Sequence, residues 1–256
     1  MPRTPRVHRQ RILITGASAG LGAEMARLWA RRGRDLALCA RRLGELERLR
    51  AELLADRPGL RISVHALDVL DHAAVDEVFD DAAAALGGLD RVVVNAGVAQ
   101  GGSLGRDRAE GNRITAQTNF VGALHQAEAA VRLFRSAGTG HLAFISSMSA
   151  LRGMGGPMNV YAASKAGVSA LAEGLRSDLW GTGVRVTAVH PGYVRTSLAE
   201  EFDKPLFIAG VQRATGAIVA AIEREPARAH VPAVPWAVLG LPMRVVPLGL
   251  YRRVAG

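Results

Sequence analysis

A tyrosine and a lysine stand four residues apart in the segment Tyr161-Ala162-Ala163-Ser164-Lys165. On a helix this spacing places the phenol and the ammonium on one face, about one turn apart. A free tyrosine titrates near ~10, and a close cation favours the phenolate and so lowers the pKa. A shift of about three units needs roughly 4 kcal/mol of differential stabilisation, which such a cation can largely supply. The pair predicts acid-base chemistry, although a half-buried tyrosine beside a solvated lysine is the common alternative.

The composition favours one cytoplasmic α/β domain. A chain of 256 residues can bury a full core, and its 49% hydrophobic and 21% charged residues exclude a disordered or coiled-coil protein. Cys39 is the single cysteine, so it predicts no disulfide framework and no cysteine zinc site, and a reducing, cytoplasmic setting is expected. The seven histidines show no ligand spacing, and we predict no metal site.

The net charge of +9 suggests nucleic acid or an anionic membrane as a partner. However, the arginines are spread along the chain and no nucleic-acid-binding motif accompanies them, so we predict no nucleic-acid partner. Residues 1–10 are basic but hold no apolar run, which argues against a secretory signal. We expect them to form a flexible basic arm.

Short apolar segments alternate with helical patterns along the chain. The predicted strands are Arg11–Thr15, Leu36–Ala40, Ile62–Leu67, Arg91–Asn95, His141–Ser146 and Val184–Val189. The predicted helices cover residues 21–33, 43–55, a segment capped by Asp71, 107–137, a segment with Tyr161 in its first turn, and 210–225. Strands that are nearly continuous apolar runs predict a parallel sheet covered on both faces, with ligands outside the strand carboxyl ends.

The last segment, Val231 to Leu250, is largely apolar. Four prolines interrupt it, and each costs a helix interior about 3 kcal/mol, so we predict no membrane span. We take residues 11–230 as the main domain and expect residues 231–256 to pack on it or on a partner subunit. Peripheral attachment to anionic lipid, with Arg244 among the basic contacts, is the alternative.

A glycine-rich turn lies between the first strand and the first helix. Its residues are Thr15-Gly16-Ala17-Ser18-Ala19-Gly20-Leu21-Gly22. Glycines there permit positive φ and close backbone approach, so that a pyrophosphate can rest on the amides of the helix N-terminus. The position directly after strand one favours dinucleotide binding over a plain turn.

The end of strand two indicates which dinucleotide binds. NAD sites place an acid about 20 residues beyond the glycines to bind the ribose, whereas a 2′-phosphate calls for arginine. This chain has Ala40-Arg41-Arg42 there and no acid. We predict NADP(H) in preference to NAD(H), with Arg41 on the phosphate and Arg42 in support, because arginine gives charge-assisted hydrogen bonds. The alternative is that both are ordinary surface arginines.

The spacing Thr-Gly-x-x-x-Gly-x-Gly, with Tyr-x-x-x-Lys downstream, resembles the classical short-chain dehydrogenases/reductases. The resemblance covers about residues 11–196 and implies a single-domain Rossmann-type α/β fold with a doubly wound parallel sheet. The implied cofactor-binding residues are Gly16, Ser18, Ala19, Gly20, Leu21, Gly22, Asp68, Val69, Asn95, Ala96, Gly97, Tyr161, Lys165, Pro191, Gly192, Val194 and Thr196, in addition to Arg41 and Arg42.

The resemblance also implies individual roles. Asp68 would meet the adenine, and Thr196 would offer its hydroxyl to the nicotinamide carboxamide. Asn119 matches the asparagine that holds a proton-relay water. Each residue also has a plain alternative, namely a loop cap for Asp68, a helix-surface amide for Asn119 and a turn hydroxyl for Thr196.

The catalytic serine is the one element out of register. The family's serine usually lies thirteen positions before the tyrosine, and Met148 occupies that position here. We assign Ser147, fourteen positions before, because it is the second serine of Ile145-Ser146-Ser147 at the end of the predicted fifth strand, where the family's serine lies. The assignment implies one extra residue in the loop 153–159, and Ser149 and Ser146 are the alternatives.

The resemblance implies hydride transfer between a nicotinamide and a carbonyl or carbinol carbon, while Tyr161 gives or takes the proton. Lys165 would lower the tyrosine pKa and bind the nicotinamide ribose, and Ser147 would orient the carbonyl. His190 is expected to be structural. Homodimers or homotetramers are expected from the family.

Three loops, at residues 98–106, 150–160 and 197–210, are expected to line the substrate pocket, and they suggest a moderately apolar ketone, aldehyde or alcohol. Their apolar residues are Leu104, Met154, Met158, Leu198, Phe202, Leu206 and Phe207. The alternatives are a catalytically idle NADP(H)-sensing or interaction protein, a basic membrane or nucleic-acid module, and an epimerase.

Overall fold

The computed structural model describes residues 8–194, 210–234, 236 and 245–250. Within them, seven parallel strands form one sheet in the order β3-β2-β1-β4-β5-β6-β7. The strands are β1 (Arg11–Thr15), β2 (Asp35–Ala40), β3 (Ile62–Ala66), β4 (Arg91–Val94), β5 (Thr139–Ile145), β6 (Gly183–Pro191) and β7 (Arg228–Val231).

Helices connect the strands and cover both faces of the sheet. They are α1 (Gly20–Arg31), α2 (Leu43–Asp56), α3 (His72–Leu86), α4 (Ala109–Ala116), α5 (Gly122–Ala137), α6 (Met158–Asp178) and α7 (Val211–Glu223). The predicted α/β fold with a doubly wound parallel sheet is therefore confirmed. Asp71 caps α3 as predicted, because its side chain accepts a hydrogen bond from the amide of Ala74 at 3.0 Å.

The sheet separates two hydrophobic layers, as alternation along β1 requires. Leu13 packs with Phe79 of α3 and Phe134 of α5 on one face. Ile12 and Ile14 belong to the other layer, in which the helical partners come from α1, α2 and α7. The helices on both faces hold the parallel strands side by side. The carboxyl ends of the strands therefore lie along one edge of the sheet.

Two elements differ from the prediction. The predicted helix at 107–137 is interrupted by a π-helical turn, Gln117–Val121, between α4 and α5. In addition, the pattern of apolar residues does not predict β7, whose four residues include one arginine and one histidine. The carbonyl of Val231 accepts a hydrogen bond from the amide of Gly192 at 2.8 Å, so backbone pairing with β6 holds this edge strand in place.

A polar network lies beneath the sheet, away from the strand carboxyl ends. Arg91 is fully buried and pairs with Glu223 at 3.0 Å and with Glu225 at 3.3 Å. Its Nε also donates to the Nδ1 of His141. The network thereby fixes the end of α7 against β4 and β5. Within the described part of the chain, no helix has the length and apolar character needed to cross a bilayer.

Candidate active site

The carboxyl ends of the strands open into a cavity of about 570 Å³. The predicted residues that line it are Gly16, Ser18, Ala19, Gly20, Leu21, Arg41, Arg42, Asp68, Val69, Asn95, Ala96, Gly97, Ser147, Tyr161, Lys165, Pro191, Gly192 and Val194. Gly22 and Asn119 lie behind the wall. Thr196, Leu198, Phe202, Leu206 and Phe207 fall outside the described residues.

The glycine turn brings backbone close to backbone. Gly16 has a φ of 63°, and a Cβ there would lie 2.9 Å from the Cα of Ala96. A Cβ on Gly22 would lie 2.3 Å from the carbonyl oxygen of Gly16. Helix α1 then begins after Ala19, which provides no side-chain cap. The amides of its first turn therefore face the cavity end without a capping side chain, which suits an anionic group.

The ends of β1 and β4 are joined by side-chain hydrogen bonds. The hydroxyl of Thr15 accepts from the amides of Asn95 and Ala96, each at 3.1 Å. The side-chain amide of Asn95 donates in return to the carbonyl of Thr15 at 2.8 Å. These contacts hold the floor of the cavity at the point where the strand order reverses, which is where such sheets bind ligands.

Arg41 and Arg42 follow β2 and are both exposed on the cavity wall. Arg42 donates to the hydroxyl of Ser18 at 3.1 Å, so it is tied to the glycine turn. Asp68 is also exposed on the wall, and its carboxylate accepts from the amide of Leu70 at 3.0 Å. Asp68 thus caps its own loop, which is the alternative role given above, and it also faces the cavity.

Three serines surround the start of the loop after β5. The hydroxyl of Ser147 accepts from the amide of Ser149 at 3.1 Å and from the hydroxyl of Ser149 at 2.9 Å. Ser147 also hydrogen-bonds the phenol of Tyr161. The hydroxyl of Ser146 instead donates to the carbonyl of Lys165 at 3.0 Å. Of the three, Ser147 is therefore the one placed against the tyrosine.

Tyr161 and Lys165 lie in the first two turns of α6, as the spacing predicts. The Nζ of Lys165 is 5.9 Å from the centre of the tyrosine ring and donates to the carbonyl of Ile145 at 2.9 Å. Burial lowers the pKa of Lys165 to about 8. This lysine is held by backbone on one side and by the tyrosine ring on the other.

The expected direction of the tyrosine pKa shift is wrong for this structure. Desolvation raises the pKa of Tyr161 to about 12, and the hydrogen bond from Ser147 acts against it. The physical reason is that burial penalises the charged phenolate more than a cation turned toward the Ile145 carbonyl can offset.

Asn119 lies on the π-helical turn and is buried. Its Oδ1 accepts from the amide of Val98 at 2.8 Å, and its Nδ2 donates to the carbonyl of Val98 at 2.9 Å and to the hydroxyl of Ser164 at 3.2 Å. The side chain is thus occupied by protein partners and ties the loop after β4 to α6. It is neither a helix-surface amide nor a residue of the cavity wall.

His190 lies just before Pro191 and is buried beneath the cavity. Its Nε2 hydrogen-bonds the hydroxyl of Ser169 at 3.1 Å, and that hydroxyl donates to the carbonyl of Lys165 at 2.9 Å. These contacts support the helix that holds Lys165 and bring no histidine nitrogen to the cavity wall.

The structure adds wall residues that the sequence does not identify. Trp236 is 6% exposed and lines the cavity, and a Cβ on Gly192 would come within 2.0 Å of its indole Nε1. Tyr193 packs edge-on against Trp236, with ring centres 6.2 Å apart. Met154 and Met158 line the cavity as predicted, whereas Leu104 is 62% exposed and is not a wall residue. The expectation for Leu104 is wrong because its loop turns outward to solvent.

Comparison with known proteins gives relatives for the whole chain. The profile described as short chain dehydrogenase matches residues 10–206. An uncharacterized oxidoreductase of Mycobacterium tuberculosis is 49% identical over 251 residues, which is 97% of this chain and 98% of the relative.

Solved structures have the same fold. Levodione reductase superposes with a TM-score of 0.80 at 22% identity, covering 90% of this chain and 99% of the other, a likeness of fold alone. A short chain dehydrogenase from Burkholderia cenocepacia, in complex with NADP, has a TM-score of 0.76 at 27% identity, covering 88% and 97%. With the family profile and the full-length relative, the chain belongs to the classical short-chain dehydrogenase/reductase family of oxidoreductases.

Proposed function

We propose that this chain is an NADP(H)-dependent oxidoreductase that interconverts a carbonyl and an alcohol, with Tyr161 as the acid or base. The observation that supports it most is the hydrogen bond between Ser147 and Tyr161, beside the buried Lys165. Arg41 and Arg42 line the same cavity, at the carboxyl end of a different strand. A single cavity therefore offers groups for a dinucleotide phosphate and groups for proton transfer.

The residues at the phosphate end fit a pyrophosphate. Side chains at Gly16 and Gly22 would collide with backbone, and the first turn of α1 offers its amides. Asp68 and Val69 would border the adenine, and Pro191-Gly192 with Val194 and Thr196 would receive the nicotinamide. When bound, the cofactor supplies or accepts the hydride.

Arg41 and Arg42 support NADP(H) over NAD(H). Both are exposed on the cavity wall, and Arg42 is oriented by its hydrogen bond to Ser18. Guanidinium groups bind a phosphate monoester with two parallel charge-assisted hydrogen bonds. The Burkholderia cenocepacia relative, which is in complex with NADP, is a precedent within the family.

The proton chemistry follows from the buried phenol. With its pKa raised to about 12, Tyr161 is protonated at neutral pH, which is the form that gives a proton to a carbonyl oxygen. Ser147 would donate to that oxygen as negative charge develops. Lys165 would bind the nicotinamide ribose. Asn119 would act mainly by holding α6, since its side chain is already occupied.

The substrate end suggests an uncharged, moderately apolar carbonyl compound or alcohol. Its walls include Met154, Met158, Tyr193 and Trp236. Among the described wall residues, the charged ones are Arg41, Arg42, Asp68 and Lys165, and none of these belongs to that wall. A substrate carboxylate or phosphate would find no counter-ion among these described residues, and desolvating it would be costly.

We also propose a cytoplasmic homodimer or homotetramer, in which residues 11–230 are the catalytic domain. The expected flexible arm does not include Arg9, because this arginine is buried and pairs with Glu225 at 2.8 Å. Cys39 supports a reducing compartment, because it is a free, buried thiol. Residues 231–256 would close over the domain or a partner subunit, and Trp236 on the cavity wall supports the first of these. Peripheral contact with a membrane surface is the alternative for this segment.

The decisive experiment is a panel of carbonyl compounds and alcohols with NADPH or NADP, followed by absorbance of the reduced nicotinamide. Turnover that disappears in Tyr161→Phe while NADPH binding persists is the expected result. Tight NADPH binding without turnover of any compound would favour the sensing protein instead. A clear preference for NADH would refute the proposed cofactor.

A further inference from the structure

Ser149 stands two residues beyond the proposed catalytic serine, in the 3-10 turn Met148–Leu151. Its side chain is nearly buried, and it lines the cavity. Its backbone amide and its hydroxyl both donate to the oxygen of Ser147, at 3.1 Å and 2.9 Å. One residue therefore provides two donors to a single hydroxyl oxygen.

This pattern restricts what Ser147 can do. A serine hydroxyl has one proton to donate and two lone pairs that accept. The two donors of Ser149 occupy both lone pairs of the Ser147 oxygen. Any further hydrogen bond of Ser147 must therefore be one that it donates. The phenol of Tyr161 is its hydrogen-bonding partner. The hydroxyl of Ser147 is thus fixed as a donor toward the atoms at which the chemistry occurs.

We propose that Ser149 is a positioning residue, which holds the Ser147 hydroxyl in the orientation that donates to the Tyr161 oxygen and, once a substrate is bound, to the substrate carbonyl oxygen in its place. This inference rests on the proposed function. It gives Ser149 a role that differs from that of an alternative catalytic serine. Ser149 itself does not need to touch the substrate.

The alternative donors at the site do not replace it. Ser146 donates to the Lys165 carbonyl and lies 2.8 Å from the hydroxyl of Ser169, so it is held under α6. Without the Ser149 hydroxyl, one lone pair of Ser147 is free and the proton of Ser147 gains other orientations. In a smaller fraction of enzyme molecules the Ser147 proton then points at the Tyr161 oxygen. The Tyr161 phenolate therefore loses part of the hydrogen bond that stabilises it.

The test compares Ser149→Ala, Ser149→Thr and Ser147→Ala with the unchanged enzyme. Ser149→Ala removes only the hydroxyl donor, and we expect kcat to fall about fivefold to tenfold, as for the net loss of one hydrogen bond. The KM for NADPH should stay the same, and the limb of the alcohol-oxidation profile set by Tyr161 should move to higher pH. Ser149→Thr, which keeps a hydroxyl, should restore both. In Ser147→Ala, kcat should fall about a hundredfold or more.

Ser177→Ala is the matched control, because Ser177 is an exposed serine near the C-terminal end of α6 and is not a wall residue of the cavity. It should behave as the unchanged enzyme. A normal kcat and pH profile in Ser149→Ala would overturn the proposal. A second result would also overturn it, namely a hundredfold loss of kcat in Ser149→Ala together with a nearly active Ser147→Ala. That result would make Ser149 the catalytic serine.

A second measurement is independent of turnover. The chain has three tyrosines, so isotope labelling at the tyrosine Cζ gives three NMR signals, of which Tyr161→Phe identifies one. The Tyr161 signal should shift in Ser149→Ala and return in Ser149→Thr. If no compound is turned over, the proposed function fails, and this signal still tests the role of Ser149. An unmoved signal in Ser149→Ala would contradict that role.

Discussion

The Nε of Arg91 donates to the Nδ1 of His141 at 2.8 Å, and neither side chain is exposed to solvent. The other ring nitrogen of His141 contacts the hydroxyl of Thr187 at 2.9 Å, and that hydroxyl donates to the carbonyl of Pro226. His141 therefore accepts at Nδ1 and donates at Nε2, which defines a neutral imidazole.

The first prediction concerns acid stability. Burial lowers the pKa of His141 well below its usual 6.5. Above pH 6.5 both folded and unfolded chains leave it neutral, whereas below that pH the unfolded chain takes up a proton that the folded chain does not. The free energy of unfolding should fall by up to about 1.4 kcal/mol per pH unit from this residue between pH 6.5 and about pH 5.

Urea unfolding at several pH values measures this slope. His141→Gln should have a flatter slope in the same window, whatever its stability at pH 7. His72→Gln is the control, since that side chain is 63% exposed. An unchanged slope in His141→Gln would show that other groups set the acid limit.

The second prediction is a fall in carbonyl reduction at alkaline pH. Burial lowers the pKa of Lys165 to about 8, so the ammonium loses its proton above that value. The phenol of Tyr161, with a pKa of about 12, stays protonated through the same range. Under saturating NADPH, kcat should decline above about pH 8 because the charge beside the phenol is lost. A rate that stays level to about pH 10 would mean that the lysine keeps its proton in the working enzyme.

The third prediction concerns cofactor choice. Arg41→Ala should weaken NADPH binding by roughly 10-fold to 100-fold, the effect of one charged hydrogen-bonding partner, and leave NADH binding nearly unchanged. Arg48→Ala is the matched control, because Arg48 is an exposed arginine on α2 that pairs with Glu45. Calorimetric titrations at one ionic strength measure both cofactors. Equal losses for NADPH and NADH would place Arg41 elsewhere than on the 2′-phosphate.

The fourth prediction concerns Trp236. Trp236→Ala should lower kcat/KM for bulky apolar ketones by about tenfold, because it removes apolar area from the wall, and affect a small ketone less. Trp180→Phe is the control, since Trp180 is 88% exposed. NADPH should also quench less tryptophan fluorescence in Trp236→Phe than in Trp180→Phe. Equal losses for large and small ketones would argue against a role in substrate selection.

The sequence predicts the part of the fold that local patterns encode. The apolar run of β1, the glycine turn and the Asp71 cap of α3 all follow from residue type and spacing alone. The prediction that Ser147 is the catalytic serine likewise rests on its place at a strand end. These features need only neighbours along the chain.

The remaining features depend on distant contacts. The π-helical turn places Asn119 against Val98, which lies 21 residues earlier, and nothing local encodes the shift. Strand β7 relies on backbone pairing with β6, and Trp236, five residues after β7, lines the cavity. The raised pKa of Tyr161 results from desolvation, and the four-residue spacing to Lys165 does not reveal how deeply the phenol is buried.

The strand order has a practical consequence for engineering. Arg41 follows β2 and Ser147 follows β5. Strands β1 and β4 lie between β2 and β5. At about 4.8 Å per strand, the two residues are therefore roughly 14 Å apart. Changes at sites this far apart, without shared partners, usually combine as the sum of their separate free energies. Cofactor preference and substrate chemistry should therefore be adjustable as independent modules, and the double variant Arg41→Ala with Ser149→Ala should show the product of the two single losses in kcat/KM.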